Sequence, residues 1–151
     1  MKYTESYNGE KINIVYTDEM IEEKTEIDLN KTEEVLDEIE EILEQKNKEI
    51  EEDINKNDNE DIKTIYDVYL DCVKKCNYIL KTNENNSRAY LLKLYCLYGL
   101  NRFQKIIDEY MNNIKKFDDS ITKFEATHIL IDAYYKKGKI DDVIRLFKLS
   151  L

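Results

Sequence analysis

The 151-residue chain has few thiol and imidazole groups: three cysteines, Cys72, Cys76 and Cys96, and a single histidine, His128. Cys72 and Cys76 are four positions apart and would share one face of a helix, where two thiolates can hold a metal ion. There is no C-x-x-C pair and no histidine near them in the sequence. All three cysteines instead fall at apolar positions of a helical pattern. We therefore interpret them as small buried core residues and predict no metal site.

Other catalytic patterns are equally weak. His128 is the only candidate general base, and no nucleophile motif stands next to it. The three glycines, Gly9, Gly99 and Gly138, are too far apart to form a phosphate-binding loop. The many carboxylates of residues 30–55 lack the E-x-x-H spacing of a carboxylate-bridged metal centre. The sequence therefore predicts a protein that is not an enzyme, with no catalytic residues and no cofactor.

The composition favours helices. The chain has no proline and is rich in Glu, Lys, Leu and Ile. Its start, M-K-Y-T-E-S-Y-N, has no apolar signal core, and no apolar run is long enough to span a membrane. We expect one all-α domain in a soluble cytoplasmic protein that has no membrane partner.

Charge is distributed unevenly along the chain. Residues 1–61 contain 22 acidic and 7 basic residues, whereas residues 62–151 contain 11 acidic and 16 basic ones. The net charge of −10 thus separates into an acidic N-terminal part and a basic C-terminal part. This asymmetry makes an attraction between the two parts plausible.

The clearest helical pattern lies in residues 127–147. Apolar residues recur there at the i, i+3, i+4 spacing of one helix face, first at Leu130, Ala133 and Tyr134 and then at Ile140, Val143, Ile144 and Phe147. Gly138 stands between the two groups, where a left-handed residue would end the first helix. Two helices with so short a link predict a helical hairpin.

The same pattern occurs 37 residues earlier, in residues 90–110. Asn101 takes the place of Gly138, and Asn is the next-best residue for a left-handed turn. The apolar positions of the second helix become Phe103, Ile106, Ile107 and Tyr110. A third, partial copy has this spacing at Tyr69, Cys72, Val73 and Cys76. An internal period in this range is typical of arrays of helical hairpins.

These repeats resemble the tetratricopeptide repeat family. The sequence A-Y-Y-K-K-G-K-I-D-D-V-I at residues 133–144 is close to the family's inter-helix signature, and N-E-N-N-S-R-A-Y at residues 83–90 is similar to its inter-repeat turn. Glu84 stands where the family has proline, Asn101 where it has glycine, and the period exceeds the usual length of about 34 residues. The resemblance implies a short α-α superhelix of tetratricopeptide-like hairpins with an acidic N-terminal arm.

Three segments are predicted, namely an irregular acidic arm at residues 1–29, an acidic amphipathic helix at 30–55, and the repeat region, with one partial and two full hairpins, at 62–151. Within the arm we expect at most one short strand, at residues 11–17, which has no evident partner. Residues 18–28 are expected to be loose. A capping box at Asn30 and Glu33 predicts the start of the acidic helix.

In the tetratricopeptide family the first helix of each hairpin lines a concave groove. The resemblance therefore implies eight partner-binding residues, which are Arg88, Leu91, Tyr95 and Tyr98 from one hairpin and Glu125, His128, Asp132 and Tyr135 from the next. Four of these differ from the Lys, Asn and Arg of the family's carboxylate clamp. We therefore expect the groove to bind another protein, as an apolar or mixed peptide or as a helix, rather than a chaperone tail.

Two further modes of association are considered. In one alternative, the protein associates with itself or masks its own groove, because the acidic N-terminal segment docks on the basic repeat half. Nucleic-acid binding by the basic half ranks last, because the acidic segment would oppose it. The last helix carries apolar residues at or near the end of the chain, namely Leu146, Phe147, Leu149 and Leu151. Since arrays usually close with a polar face, either more chain follows or this end contacts another surface, such as a second copy in a homo-oligomer.

Overall fold

The computed structural model describes the backbone of residues 2–7, 10–56 and 59–150, and the side chains of residues 16–46, 64–139, 141–145 and 148. Within these residues the elements are, in chain order, strands β1 (Lys2–Tyr7) and β2 (Glu10–Thr17) and helices α1 (Asp18–Glu22), α2 (Thr32–Lys56), α3 (Asn59–Thr82), α4 (Ser87–Gly99), α5 (Phe103–Asn113), α6 (Ser120–Lys136) and α7 (Ile140–Ser150). Short 3-10 turns precede α2 and follow α5. The described chain is therefore predominantly helical, as the composition predicts.

The longer helices form three consecutive pairs, α2–α3, α4–α5 and α6–α7. Helices α2, α4 and α6 lie side by side in one row, each in contact with the next. Helix α3 contacts both α2 and α4, and α5 contacts both α4 and α6. Helices α3 and α5 therefore each pack against two neighbouring helices of the row. The solvent-exposed faces of α4 and α6 consequently lie next to each other.

The turns within the two C-terminal pairs have the same geometry. Asn101 and Gly138 adopt φ angles of +59° and +74°, so the prediction of a left-handed residue at each position is confirmed. The residue after each of them donates its N–H to the carbonyl five residues earlier, over 2.9 Å in both turns. This backbone bond satisfies a carbonyl at the helix end and fixes how the second helix leaves the first.

The core lies mainly between α3, α4 and α6. Its largest fully buried side chains include Tyr69, Val73, Ile79, Tyr90, Leu94, Leu97, Ile106 and Leu130. The three cysteines are free thiols buried in the same core, as their apolar-face positions predict. Helix α2 adds Leu36, Ile39 and Leu43, which are at most 8% exposed.

The prediction that residues 1–29 form an irregular arm is wrong. Strands β1 and β2 pair antiparallel, beginning with Lys2 opposite Thr17. The strand expected at residues 11–17 is thus part of β2, and its partner is β1. The sequence contained the missing signal, since the dipeptide Asn8–Gly9 between the two segments is typical of two-residue hairpin turns.

Residues 18–28 are also packed rather than loose. Ile21 of α1 is fully buried, at 0% exposure. The buried side chain of Asn77 on α3 donates from Nδ2 to the carbonyl oxygens of Ile21, over 2.7 Å, and Glu23, over 2.9 Å. Acidic composition indicated disorder here, but these bonds to a residue more than 50 positions away hold the segment in place.

Ion pairs add to this attachment of the N-terminal segment. They join Asp18 to Arg102 at 2.7 Å, Glu23 to Lys74 at 3.1 Å, and Glu22 to Lys105. Arg102 is 5% exposed, so the arginine of its pair with Asp18 is largely shielded from solvent. Acidic residues of the N-terminal part therefore contact basic residues of α3, of α5 and of the turn before α5.

Some expectations fall outside the described side chains. These include the contacts predicted for the C-terminal residues Leu146, Phe147, Leu149 and Leu151. In the part of the chain that the structure describes, no helix is both long enough and apolar enough to cross a membrane.

Candidate protein-interaction surface

Helix α6 begins at a charged cap. The carboxylate of Asp119 accepts a hydrogen bond from the N–H of Thr122 at 2.6 Å, which satisfies one of the free amides of the first turn. Hydrogen bonds from the Thr122 side chain and backbone hold the pKa of Asp119 below its ordinary value. The helix ends before the left-handed Gly138, so its orientation is fixed at both ends.

Apolar side chains occupy two sides of α6. The core side is formed by Thr122, Ala126, Ile129, Leu130, Ala133 and Tyr134, all buried. On the opposite side Ile121 and Phe124 are each 70% exposed and Tyr135 is 64% exposed. At 3.6 residues per turn, these three lie within an arc of about 60°. The helix therefore presents a stripe of large apolar side chains to solvent.

His128 belongs to this exposed stripe. Its ring lies edge-on to the ring of Phe124, with 5.7 Å between the centroids and 74° between the planes. This aromatic contact holds the imidazole against the stripe. His128 thus takes part in an aromatic cluster on the outside of α6.

Tyr95, on the neighbouring helix α4, is 42% exposed. Burial raises the pKa of its hydroxyl, and the negative charges of Glu125 and Asp132 on α6 raise that pKa further. The charges of Glu125 and Asp132 therefore act on the Tyr95 hydroxyl across the contact between α4 and α6. We call the following set the α4–α6 surface: Tyr95, Ile121, Phe124, Glu125, His128, Asp132 and Tyr135.

Five of the eight residues predicted to bind a partner belong to the α4–α6 surface, namely Tyr95, Glu125, His128, Asp132 and Tyr135. The other three, Arg88, Leu91 and Tyr98, are engaged within the protein. Leu91 is half-buried against the core. Tyr98 is half-buried, and its ring lies edge-on to Phe103 of α5 at 5.4 Å.

Arg88 connects α4 to the acidic helix α2. Its Nη1 donates to Glu33 Oε2 over 3.0 Å, and its Nη2 donates to Asp37 Oδ1 and to Glu40 Oε2, each over 2.6 Å. The three carboxylates follow one another at i, i+4 and i+7, so they share one face of α2. Arg88 is therefore bound by three carboxylates of its own chain.

Sequence reasoning missed Ile121 and Phe124, the two most exposed large apolar residues in the described part of the chain. The signal was present, because both fall outside the i, i+3, i+4 stripe that the core uses. An apolar residue off the core stripe of an otherwise amphipathic helix indicates a second contact face.

The α4–α6 surface combines exposed aromatic side chains with carboxylates. Among the described residues, no group of three or more His, Cys, Asp or Glu side chains is placed to hold a metal ion. Aromatic side chains beside carboxylates can cover the apolar part of a partner and pair with its positive charges. No protein-family model, curated protein or solved structure matches this chain.

Proposed function

We propose that this protein is a non-catalytic interaction module that binds a segment of another protein across the α4–α6 surface. The observation that carries the proposal is the exposure of Ile121, Phe124 and Tyr135 on one side of α6, together with that of Tyr95 on the neighbouring α4. Aromatic residues are enriched at protein interfaces, and clustered exposed apolar side chains mark interaction sites.

The arrangement of the helices supports the same proposal. Helices α2, α4 and α6 form one row, and the first helices of tetratricopeptide hairpins are expected to line a groove in such a row. The matching turns at Asn101 and Gly138 support a repeated hairpin unit. We infer a tetratricopeptide-like superhelix in which α4 and α6 supply the binding face.

The chemistry of the surface suggests the kind of partner. The apolar stripe requires a partner with apolar residues on one side, as an amphipathic helix has. Glu125 and Asp132 require Lys or Arg next to those apolar residues, because opposite charges favour the correct register. The proposed partner is therefore an amphipathic helix with a basic flank.

Two synthetic helical peptides test this function. Both carry the same leucine stripe, one flanked by lysine and the other by glutamate, and each is titrated into the full chain while backbone amides are followed by NMR. We expect saturable binding of the lysine peptide with shifts at α4 and α6, and about tenfold weaker binding of the glutamate peptide at low salt.

A matched pair of variants locates the binding. The double variant F124A/Y135A should lose the interaction, because it removes two aromatic anchors. Met111→Ala is the control, since Met111 is 53% exposed but lies on α5, outside the surface. Equal loss in both variants, or shifts confined to other helices, would contradict the proposal.

Self-masking is the alternative function, and the three carboxylates around Arg88 favour it. In that case α2 would cover part of the row of helices and prevent a partner from binding there. The variant E33Q/D37N/E40Q separates the two functions. Higher peptide affinity in this variant would indicate masking, whereas unchanged affinity with lower stability would show that α2 is a constituent of the fold, as its buried Leu36 and Ile39 suggest.

A further inference from the structure

A cavity of about 290 Å³ lies where α3, α4 and α5 meet the N-terminal segment. None of the residues of the α4–α6 surface lines it. One of its walls is aromatic, since the rings of Tyr90 and Phe117 stack with 4.6 Å between their centroids. Its volume is at the lower end of the range for cavities that hold small molecules.

Lys93 lines this cavity although it is only 5% exposed. Its Nζ donates to Glu109 Oε1 over 2.9 Å, and Glu109 Oε2 accepts a second hydrogen bond from Asn113 Nδ2 at 3.1 Å. The carboxylate is thus bound by two donors. An ammonium group has three protons, and Glu109 is the one acceptor that the described residues give to Lys93. Lys93 therefore retains donor capacity at the cavity.

Tyr90 is the second unsatisfied donor. Its side chain is 1% exposed, and its hydroxyl has no hydrogen-bond partner among the described residues. Buried hydroxyl groups in native proteins nearly always have a partner. The two buried donors thus belong to residues that line one cavity, and one of them is positively charged, which favours a ligand with an acceptor group.

The charges at the cavity entrance point the same way. Glu84 pairs with Lys116 at 3.4 Å, and Glu22 pairs with Lys105, so both acidic residues of the entrance are neutralised. Lys24 and Lys81 also line the entrance, and within the described residues no ion pair is found for either of them. The entrance therefore has an excess of positive charge, although the whole chain has a net charge of −10.

We propose that this cavity binds a small organic anion, whose carboxylate or phosphate group accepts hydrogen bonds from Lys93 and Tyr90. The apolar body of the ligand contacts Phe117 and the ring of Tyr90. Lys24 and Lys81 attract the anion to the entrance. This site is independent of the partner-binding function of the α4–α6 surface.

Three probes test the proposal on the full chain by NMR titration. They are benzoate, phenyl phosphate and the neutral benzyl alcohol, which share an aromatic body and differ in the attached group. We expect saturable shifts at Tyr90, Lys93 and Phe117 with at least one anion, and about tenfold weaker binding of the alcohol. Which anion binds more tightly identifies the group as a carboxylate or a phosphate.

Variants separate the site from a general charge effect. Tyr90→Phe removes a hydroxyl that has no partner, so the protein should be at least as stable as before and bind the anion about tenfold more weakly. K24A/K81A should weaken binding about threefold at low salt. The control K123A/K139A removes two exposed lysines outside the cavity and should leave the affinity unchanged.

Several results would overturn this proposal. They are the absence of saturable binding for both anions, equal affinity for the neutral alcohol, and unchanged affinity in both Y90F and K24A/K81A. An equal loss of affinity in K123A/K139A would show attraction to lysines in general and would overturn it as well.

Discussion

Helices α4 and α6 each begin a helical pair with the same left-handed turn, yet their outward residues have different surroundings. Arg88 and Glu125 are 37 positions apart and correspond to each other, as do Tyr98 and Tyr135. Arg88 is bound by three carboxylates of α2, whereas the negative charge of Glu125 raises the pKa of the Tyr95 hydroxyl.

The tyrosines differ in the same way. Tyr98 is half-buried against Phe103, but Tyr135 is 64% exposed. Positions that match at a spacing of 37 residues therefore do not have equivalent roles, because neighbouring elements decide which of them remain exposed. Here α2 lies along one side of α4, whereas α6 carries the exposed stripe of large apolar side chains.

The largest difference in the free energy of unfolding should come from variants at the C-terminal ends of α4 and α6. A Cβ at Gly99 would lie 2.6 Å from the buried ring of Tyr69, whereas the equivalent residue of α6, Lys136, is exposed. Gly99→Ala should lower the free energy of unfolding by about 1–2 kcal/mol, since overpacking exceeds the gain in helix propensity. Lys136→Ala should change it by less than about 0.5 kcal/mol. Urea unfolding measures the stability of both variants. Equal stabilities would show that the ring of Tyr69 moves to accommodate the added Cβ.

Arg88 provides the next test. Arg88→Ala should lower the free energy of unfolding by about 1 kcal/mol, because the three ion pairs are largely exposed and each contributes little. The loss should shrink at high salt. Glu125→Ala, at the equivalent position of α6, should have a smaller effect. Urea unfolding at two salt concentrations checks this, and a salt-independent loss would contradict the electrostatic origin.

The caps of the two helices should respond differently to acid. The pKa of Asp119 is lowered in the folded protein, so its stabilisation of α6 is present above about pH 4 and is lost as the pH falls through that lowered pKa. The cap of α4 is Asn86, which accepts from the Ala89 N–H at 3.0 Å and does not titrate. Asp119→Asn should therefore flatten the decline of Tm below about pH 4, and Asn86→Asp should add to it. Parallel Tm profiles for both variants and the original chain would argue against this cap mechanism.

The smallest effect concerns the pKa of Tyr95. Glu125→Gln and Asp132→Asn should each lower that pKa, because each removes a negative charge that opposes formation of the tyrosinate. Glu34→Gln, an exposed change on α2, serves as the control. The pH titration of 13C-labelled tyrosine rings measures the pKa, with Tyr95→Phe assigning the signal. An unchanged value in both carboxylate variants would place Glu125 and Asp132 away from Tyr95.

The sequence by itself determined the helices and the turns of the C-terminal pairs. Apolar spacing located the helices between residues 87 and 150, and Asn101 and Gly138 marked the left-handed positions between them. These features depend on residues within a few positions of one another, so a local pattern contains the necessary information. The same holds for the three cysteines, whose burial follows from the face of the helix that they occupy.

Only the tertiary structure decided which surface residues are available. Arg88 meets Asp37 across 51 positions, and Asn77 meets the Ile21 carbonyl across 56, so no local pattern could show these contacts. Helical spacing places Phe124 outside the core stripe, but its 70% exposure depends on what lies against α6. The physical reason is that spacing along one helix gives the face of a side chain, whereas the neighbour of that face is set by how separate elements pack.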